Sequence, residues 1–197
     1  MSESRPTPAV RTPWRQWALI AAFAIASAAL GVWLRGEFDD ARTPPPPPGL
    51  KVVALGESAE PLLGTTLNGV NQPLPGEGRW RLINFWASWC PPCVKEMPVL
   101  DAYHAAQGSD GVQVIGIALE DAADARAFLD RVPVGFPIFA EPNSRTDSSV
   151  RLGNARGVLP YTVLIDPQGR LVAQHLSPFP DAEAITDWVT TAQGDAR

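Results

Sequence analysis

Trp80–Leu100 reads WRLINFWASWCPPCVKEMPVL, and the change of texture inside it decides the fold. Residues 80–86 are a dense apolar run, as expected of a central strand buried on both faces. From the second half of the string a helix is expected to run on to about Ala106. The join between them is Trp89-Cys90-Pro91-Pro92-Cys93, a CxxC set where a buried strand hands over to a helix.

Working outward, Val112–Leu119 (VQVIGIAL) is a second central strand. Asp121 stands where it can cap a helix with Ala122, Ala125, Phe128, Leu129 and Val132 on one face. Phe136–Ala140 is a short strand, Ser148–Gly153 a helical turn and Tyr161–Asp166 a further strand. Asp166-Pro167-Gln168-Gly169 places Asp, Pro and Gly where a type I turn wants them, so Arg170–His175 returns antiparallel. Asp181 caps a last helix with Ile185, Trp188, Val189 and Ala192 on its apolar face. Upstream, Asn68-Gly69 between β-prone pieces predicts a hairpin over Thr65–Val70. The order strand, helix, strand, helix, strand, strand, helix makes an α/β domain, a mixed central sheet flanked by helices.

At the N-terminal end, Trp17–Leu34 carries no charge and is long enough to span a bilayer core, near the short end of the range. Trp14, Trp17 and Trp33 stand at its borders as interfacial aromatics. Arg5, Arg11 and Arg15 precede it, so the basic excess keeps the N-terminus cytoplasmic and sends the remainder across. A cleaved signal peptide is the competing reading, with Ala26-Ser27-Ala28 as its small-residue stretch. The apolar run is long for a signal core and ends in Val32-Trp33-Leu34, which favours an uncleaved anchor. Pro44–Pro48 is a stiff polyproline spacer that adds roughly 15 Å at about 3.1 Å per residue. The expected organisation is a cytoplasmic segment 1–16, a transmembrane helix 17–34, a proline-rich stalk 35–49 and a folded domain 50–197. A net charge of −5 with no basic stripe gives nucleic-acid binding no electrostatic support.

Cys90 and Cys93 are the only two cysteines, and His104 and His175 the only two histidines. A helix N-terminus holds about half a positive charge and unsatisfied N–H groups, which favour a thiolate, the nucleophilic form of the sulfur. Cys90 at the tip is expected to be the exposed attacker and Cys93, one turn in, the buried resolver. Two other readings of the pair stand beside this one. Zinc wants about four ligands, and the two histidines are far apart in sequence. A structural disulfide closing so small a loop removes little unfolded-state entropy. Pro91 and Pro92 have no N–H, leaving chiefly that of Cys93 to solvate a Cys90 thiolate; weak solvation disfavours the reduced, ionised form and points to a reductant.

INFWASWCPPCVKEMPVL, followed by GVQVIGIAL and GVLPYTVLIDPQGRLV, resembles the TlpA/ResA-like family of membrane-anchored thioredoxins, from about Leu62 to the C-terminus. The resemblance implies a thioredoxin-like fold and an extracytoplasmic thiol-disulfide oxidoreductase. Some members serve cytochrome c maturation or cytochrome oxidase assembly. It implies that Pro160 is cis and packs beside the CxxC, where the sequence alone reads only as a proline opening a strand. It gives Glu96 the role of taking and returning the Cys93 proton; the residues alone allow this or a solvated helix glutamate. Asn84 stands where thioredoxins proper carry a buried aspartate, and its amide cannot titrate, which leaves Glu96 as the proton carrier. Trp89, Pro91, Pro92, Leu159 and Tyr161 border these groups and are the expected substrate contacts. No metal or further cofactor is expected.

The expected partners are protein disulfides and a membrane electron donor that re-reduces the pair, at an inner membrane with the domain facing the periplasm. Two rival functions use the same thiols. A copper-site assembly or metal-delivery module would exploit thiolate affinity for Cu(I), without Met-rich or His-rich tracts to support it. A peroxidase of the peroxiredoxin kind would need a separate peroxidatic cysteine that this sequence lacks.

Overall fold

The computed structural model describes residues 14–42 and 45–196, with side chains left out for 14–16 and 32–42. The chain divides into two compact units, Met1–Pro44 and Pro45–Arg197. In the first, helix α1 (Trp14–Arg42) contains the stretch expected to span a membrane. Its described side chains, 17–31, are all exposed. Among the described residues no helix is long and apolar enough to cross a membrane. The side chains of Val32, Trp33 and Leu34, and the segment 1–13, lie outside the described residues.

The second unit holds the domain. In chain order come β1 (Leu63–Thr65), β2 (Asn71–Pro73), β3 (Arg81–Trp86), α2 (Pro91–Ala106), β4 (Gln113–Leu119), α3 (Ala122–Leu129), β5 (Ile138–Glu141), α4 (Ser148–Arg151), β6 (Tyr161–Ile165), β7 (Leu171–His175) and α5 (Ala182–Asp195). β1 and β2 form the expected hairpin, closed by Thr66 N–H on Val70 O (2.9 Å) with Gly69 at φ +81°, a region that suits glycine. The main sheet runs β5-β4-β3-β6-β7. β3 pairs parallel with β4 and antiparallel with β6, so the sheet is mixed. The turn into β7 forms as its residues dictate: Gly169 N–H donates to Asp166 O (2.9 Å), and Asp166 Oδ1 accepts from Gln168 and Arg170 N–H. The described prolines Pro45–Pro48 group with this unit, and Arg145 Nη2 donates to Pro45 O (3.0 Å).

β3 is buried along its whole length, and its alternation divides the core into two layers. Leu82 and Trp86 face a layer with Cys90, Cys93, Met97 and Leu100 of the α2 segment and Ile185 and Val189 of α5. Ile83 and Phe85 face a second layer with Ile115, Ile117, Val163 and Ile165. Asn84, between Leu82 and Trp86 in the alternation, therefore lies on the α2 side. The helix caps divide. Asp181 Oδ1 accepts Ala184 N–H (2.8 Å), as a capping aspartate should. Asp121 occupies the N-cap of α3 but makes no side-chain cap bond.

Candidate active site

Cys90 and Cys93 are joined in a disulfide, with Cα atoms 5.3 Å apart. Cys90 is the N-cap of α2, and Pro91 and Pro92 fill the first two helical positions. Neither proline offers an N–H. The Cys93 N–H reaches Cys90 Sγ at 3.4 Å, and Val94 N–H already serves Cys90 O (3.0 Å). The first turn thus has one donor aimed at the N-terminal sulfur.

Cys90 is 4% exposed and Cys93 1%. Both are buried, so the open Cys90 expected from the sequence is corrected. The physical reason is packing: in the bridged form both residues belong to the core layer beneath α2. What stands out to solvent is Trp89, 60% exposed, with Pro91 also exposed and Pro92 half-buried.

The turn that carries Trp89 is tied from below. Glu120, at the end of β4, is 8% exposed and accepts two bonds from Ser88, from the backbone N–H at 2.9 Å and the hydroxyl at 2.7 Å. Sequence reasoning missed this tie. An acidic residue closing the apolar run GIALE was the available signal, because a carboxylate at the end of a buried strand needs donors nearby.

Glu96 lies one turn beyond Cys93 and is 1% exposed. Its Oε1 accepts the Phe179 N–H at 2.8 Å, and its Oε2 accepts from Asn84 Nδ2 at 3.1 Å. Burial pushes its pKa from 4.5 up to about 7, and the bonds from Phe179 and Asn84 pull the other way. Asn84 Nδ2 also donates to Thr162 Oγ1 (2.9 Å), directly across the β3–β6 pairing, while Asn84 Oδ1 has no partner. Thr162 and Phe179 were not read from the sequence. Phe179 sits in the segment LSPFP between β7 and α5, where only the tertiary fold brings its N–H to Glu96. Its ring stacks on His175 (centroids 4.1 Å apart, 12° between planes) and packs against Trp188.

The Leu159–Pro160 bond is cis, and Pro160 is buried. Leu159 is half-buried and packs against both core layers. Tyr161 is corrected as a substrate contact. It is 1% exposed, its ring stacks on Phe85 in the layer away from the cysteines, and its hydroxyl donates to Leu152 O (2.7 Å). Strand alternation turns it to that face, and burial of the phenol raises its pKa. Among the described residues no three His, Cys, Asp or Glu side chains gather as metal ligands.

The sequence profile of the AhpC/TSA family matches residues 69–174. The chain is 30% identical over 165 residues to the thiol-disulfide oxidoreductase ResA of Halalkalibacterium halodurans, spanning 82% of this chain and 86% of that one. A thioredoxin-related protein from Neisseria meningitidis serogroup B superposes with a TM-score of 0.58 at 31% identity, covering 66% of this chain and 97% of the other. A putative thiol:disulfide interchange protein DsbE from Chlorobium tepidum gives 0.60 at 28% identity, covering 71% and 98%. A strand-to-helix CxxC already bridged, a buried carboxyl one turn behind it and these likenesses converge: the chain belongs to the AhpC/TSA family, in its TlpA/ResA-like group, and is a thiol-disulfide oxidoreductase whose redox pair is Cys90 and Cys93.

Proposed function

We propose that the chain works as a protein-disulfide reductase on the extracytoplasmic face of a membrane, anchored by the 17–34 stretch of α1. The observation that carries the reading is the first turn of α2, where two prolines leave the Cys93 N–H as the donor aimed at Cys90 Sγ. A Cys90 thiolate so thinly solvated gives up electrons readily, because its reduced form gains little stability.

The exchange runs from the reduced pair. Cys90 thiolate attacks a client disulfide, forming a mixed disulfide and releasing one client thiolate. Glu96 carboxylate takes the proton from the Cys93 thiol. Cys93 thiolate then attacks Cys90 Sγ, closing the Cys90–Cys93 bond and releasing the second client thiolate, which recovers the proton from Glu96 or from water. Two electrons pass to the client. A pKa of about 7 suits Glu96 to both halves of this transfer at neutral pH. Trp89 and the Leu159–Pro160 segment form the contact surface, with Pro91 and Pro92 at its edge.

A membrane donor returns the two electrons, since an oxidising compartment would otherwise keep the pair closed. The clients are proteins whose cysteines must be open before a haem or a metal is inserted, as in cytochrome c maturation or cytochrome oxidase assembly. The exposed apolar side chains of α1 from Trp17 to Leu30 support the anchor, since they find cover in lipid.

A glutathione or dithiothreitol titration of the pair tests the direction of transfer. A midpoint well below that of a strong oxidant, about −120 mV, is expected, and a value near that figure refutes the reductant. Trapping with Cys93→Ala leaves Cys90 in a mixed disulfide whose client is identified by mass.

A further inference from the structure

Asn84, whose Nδ2 donates to Glu96, has no exposed surface, and its Oδ1 is among the buried polar atoms left without a partner in the described residues. A buried acceptor without a donor gives up its bonds to water and gains none in return, so its position needs a reason. Its surroundings supply one. Both contacts of Glu96 are donors, Phe179 N–H at Oε1 and Asn84 Nδ2 at Oε2. That arrangement satisfies an ionised carboxylate. It gives the proton of a neutral carboxylic acid nothing to bond to. The acceptor the acid would need is Oδ1 of the same amide whose nitrogen now faces it.

We infer that Asn84 is a two-position adaptor for Glu96: its amide presents Nδ2 to the carboxylate when Glu96 is ionised and turns about the Cβ–Cγ bond to present Oδ1 when Glu96 holds the proton. The oxygen and nitrogen of a primary amide are nearly equal in size, so both end positions fit the same packed space. Thr162 makes the turn neutral for the second contact. Its hydroxyl now accepts from Nδ2 at 2.9 Å, and by rotating its own hydrogen it donates to Oδ1 after the turn. Strand pairing holds it there, since Asn84 and Thr162 are register partners on β3 and β6. An ionised aspartate in place of Asn84 would offer no donor to an ionised Glu96, and an apolar side chain could serve neither state.

The inference rests on Glu96 as the proton carrier of the exchange, and it makes Asn84 and Thr162 positioning residues acting through Glu96. The groups that face Glu96 from the packed elements are neutral: Asn84 from β3, the Phe179 N–H from the segment before α5, and Cys93 on its own helix, bridged in this structure. His175 of β7 stacks on the Phe179 ring and is the titratable side chain behind that segment. Burial lowers its pKa, and no charged group contributes to the shift at Glu96.

The test is a pH series from 5 to 9 on the full-length oxidised protein, following the Glu96 carboxyl carbon and the Asn84 side-chain amide by NMR. The expected result is one shared midpoint, with the contact between the Asn84 NH2 protons and the Thr162 methyl group strong above it and lost below it. In Glu96→Gln that contact becomes independent of pH. Thr162→Val should slow client-disulfide reduction near neutral pH by about tenfold and flatten its pH profile, the scale of one lost hydrogen bond, while Thr162→Ser restores both. A contact that persists unchanged while the Glu96 carbon titrates overturns the adaptor and leaves the proton carrier standing. A Glu96 carbon that does not titrate in this range overturns the adaptor too. Wild-type exchange rates in Glu96→Gln remove the proton carrier itself.

Discussion

A carboxyl group that titrates near neutral pH inside a core leaves two marks that can be measured. Folded Glu96 has a pKa of about 7 against 4.5 when unperturbed. Between those values the folded chain binds the proton more tightly than the unfolded chain does. The stabilisation is therefore complete below pH 4.5 and is lost as the pH rises through 7. Its size is on the order of 3 kcal/mol. Oxidised wild type should melt at a lower temperature at pH 8 than at pH 5, and Glu96→Gln should remove that part of the fall, as thermal denaturation across the range will show. His175, whose burial lowers its pKa, works with the opposite sign, so the difference between the two proteins isolates Glu96. Kinetically, the rate of closing a mixed disulfide should rise with pH through about 7 in wild type, where Glu96 becomes ionised and able to accept the Cys93 proton. Glu96→Gln should lose that inflection, and stopped-flow insulin reduction reads it directly. Glu96 was legible through the family resemblance, because helical spacing from Cys93 alone left a solvated glutamate equally open. Asn84 could be read as a position without a titratable group, but its unpartnered oxygen could not. Tyr161 misled for a simple reason: sitting next to Pro160 in the chain means facing the opposite side of the sheet.

Among the elements, those defined by local chemistry matched their sequence signals to within one or two residues at most ends. β3, α2 and β4 follow from texture alone, and the Asp166–Gly169 turn from its residues. What escaped depends on long-range pairing. Arg81 sits inside the apolar run of β3, only 2% exposed, because Glu60 reaches it from far upstream in an ion pair. The Asp121 cap is a milder case, with the right residue at the right place and its side chain unused. The Asp181 cap is used, and Asp181→Ala should cost about 1 kcal/mol in chemical denaturation. The same change should loosen α5, whose Trp188 packs on Phe179. Glu120→Ala frees both Ser88 donors at the turn before the cysteines. It should cost about 2 kcal/mol, the scale of hydrogen bonds to a charged group, and make the disulfide easier for external thiols to reach.

At the scale of the whole chain, the two compact units should behave separately. Removing residues 1–34 should release the protein from a carbonate-washed membrane pellet and leave insulin reduction by the freed domain unchanged, because every group of the redox site lies beyond Pro45. Retention of the shortened chain in the pellet would remove the anchor. Within the domain, the site is assembled across great distances in the chain: the bond from Phe179 to Glu96 joins positions 83 residues apart. Grafting Trp89–Cys93 onto another scaffold would therefore carry the sulfurs and strand the chemistry, since the acid, its amide neighbour and the backbone that holds it arrive from three other places. The portable unit of this enzyme is the entire domain, and a redesign that recombines it with a relative must keep the helix behind the cysteines and the loop before the last helix from the same parent.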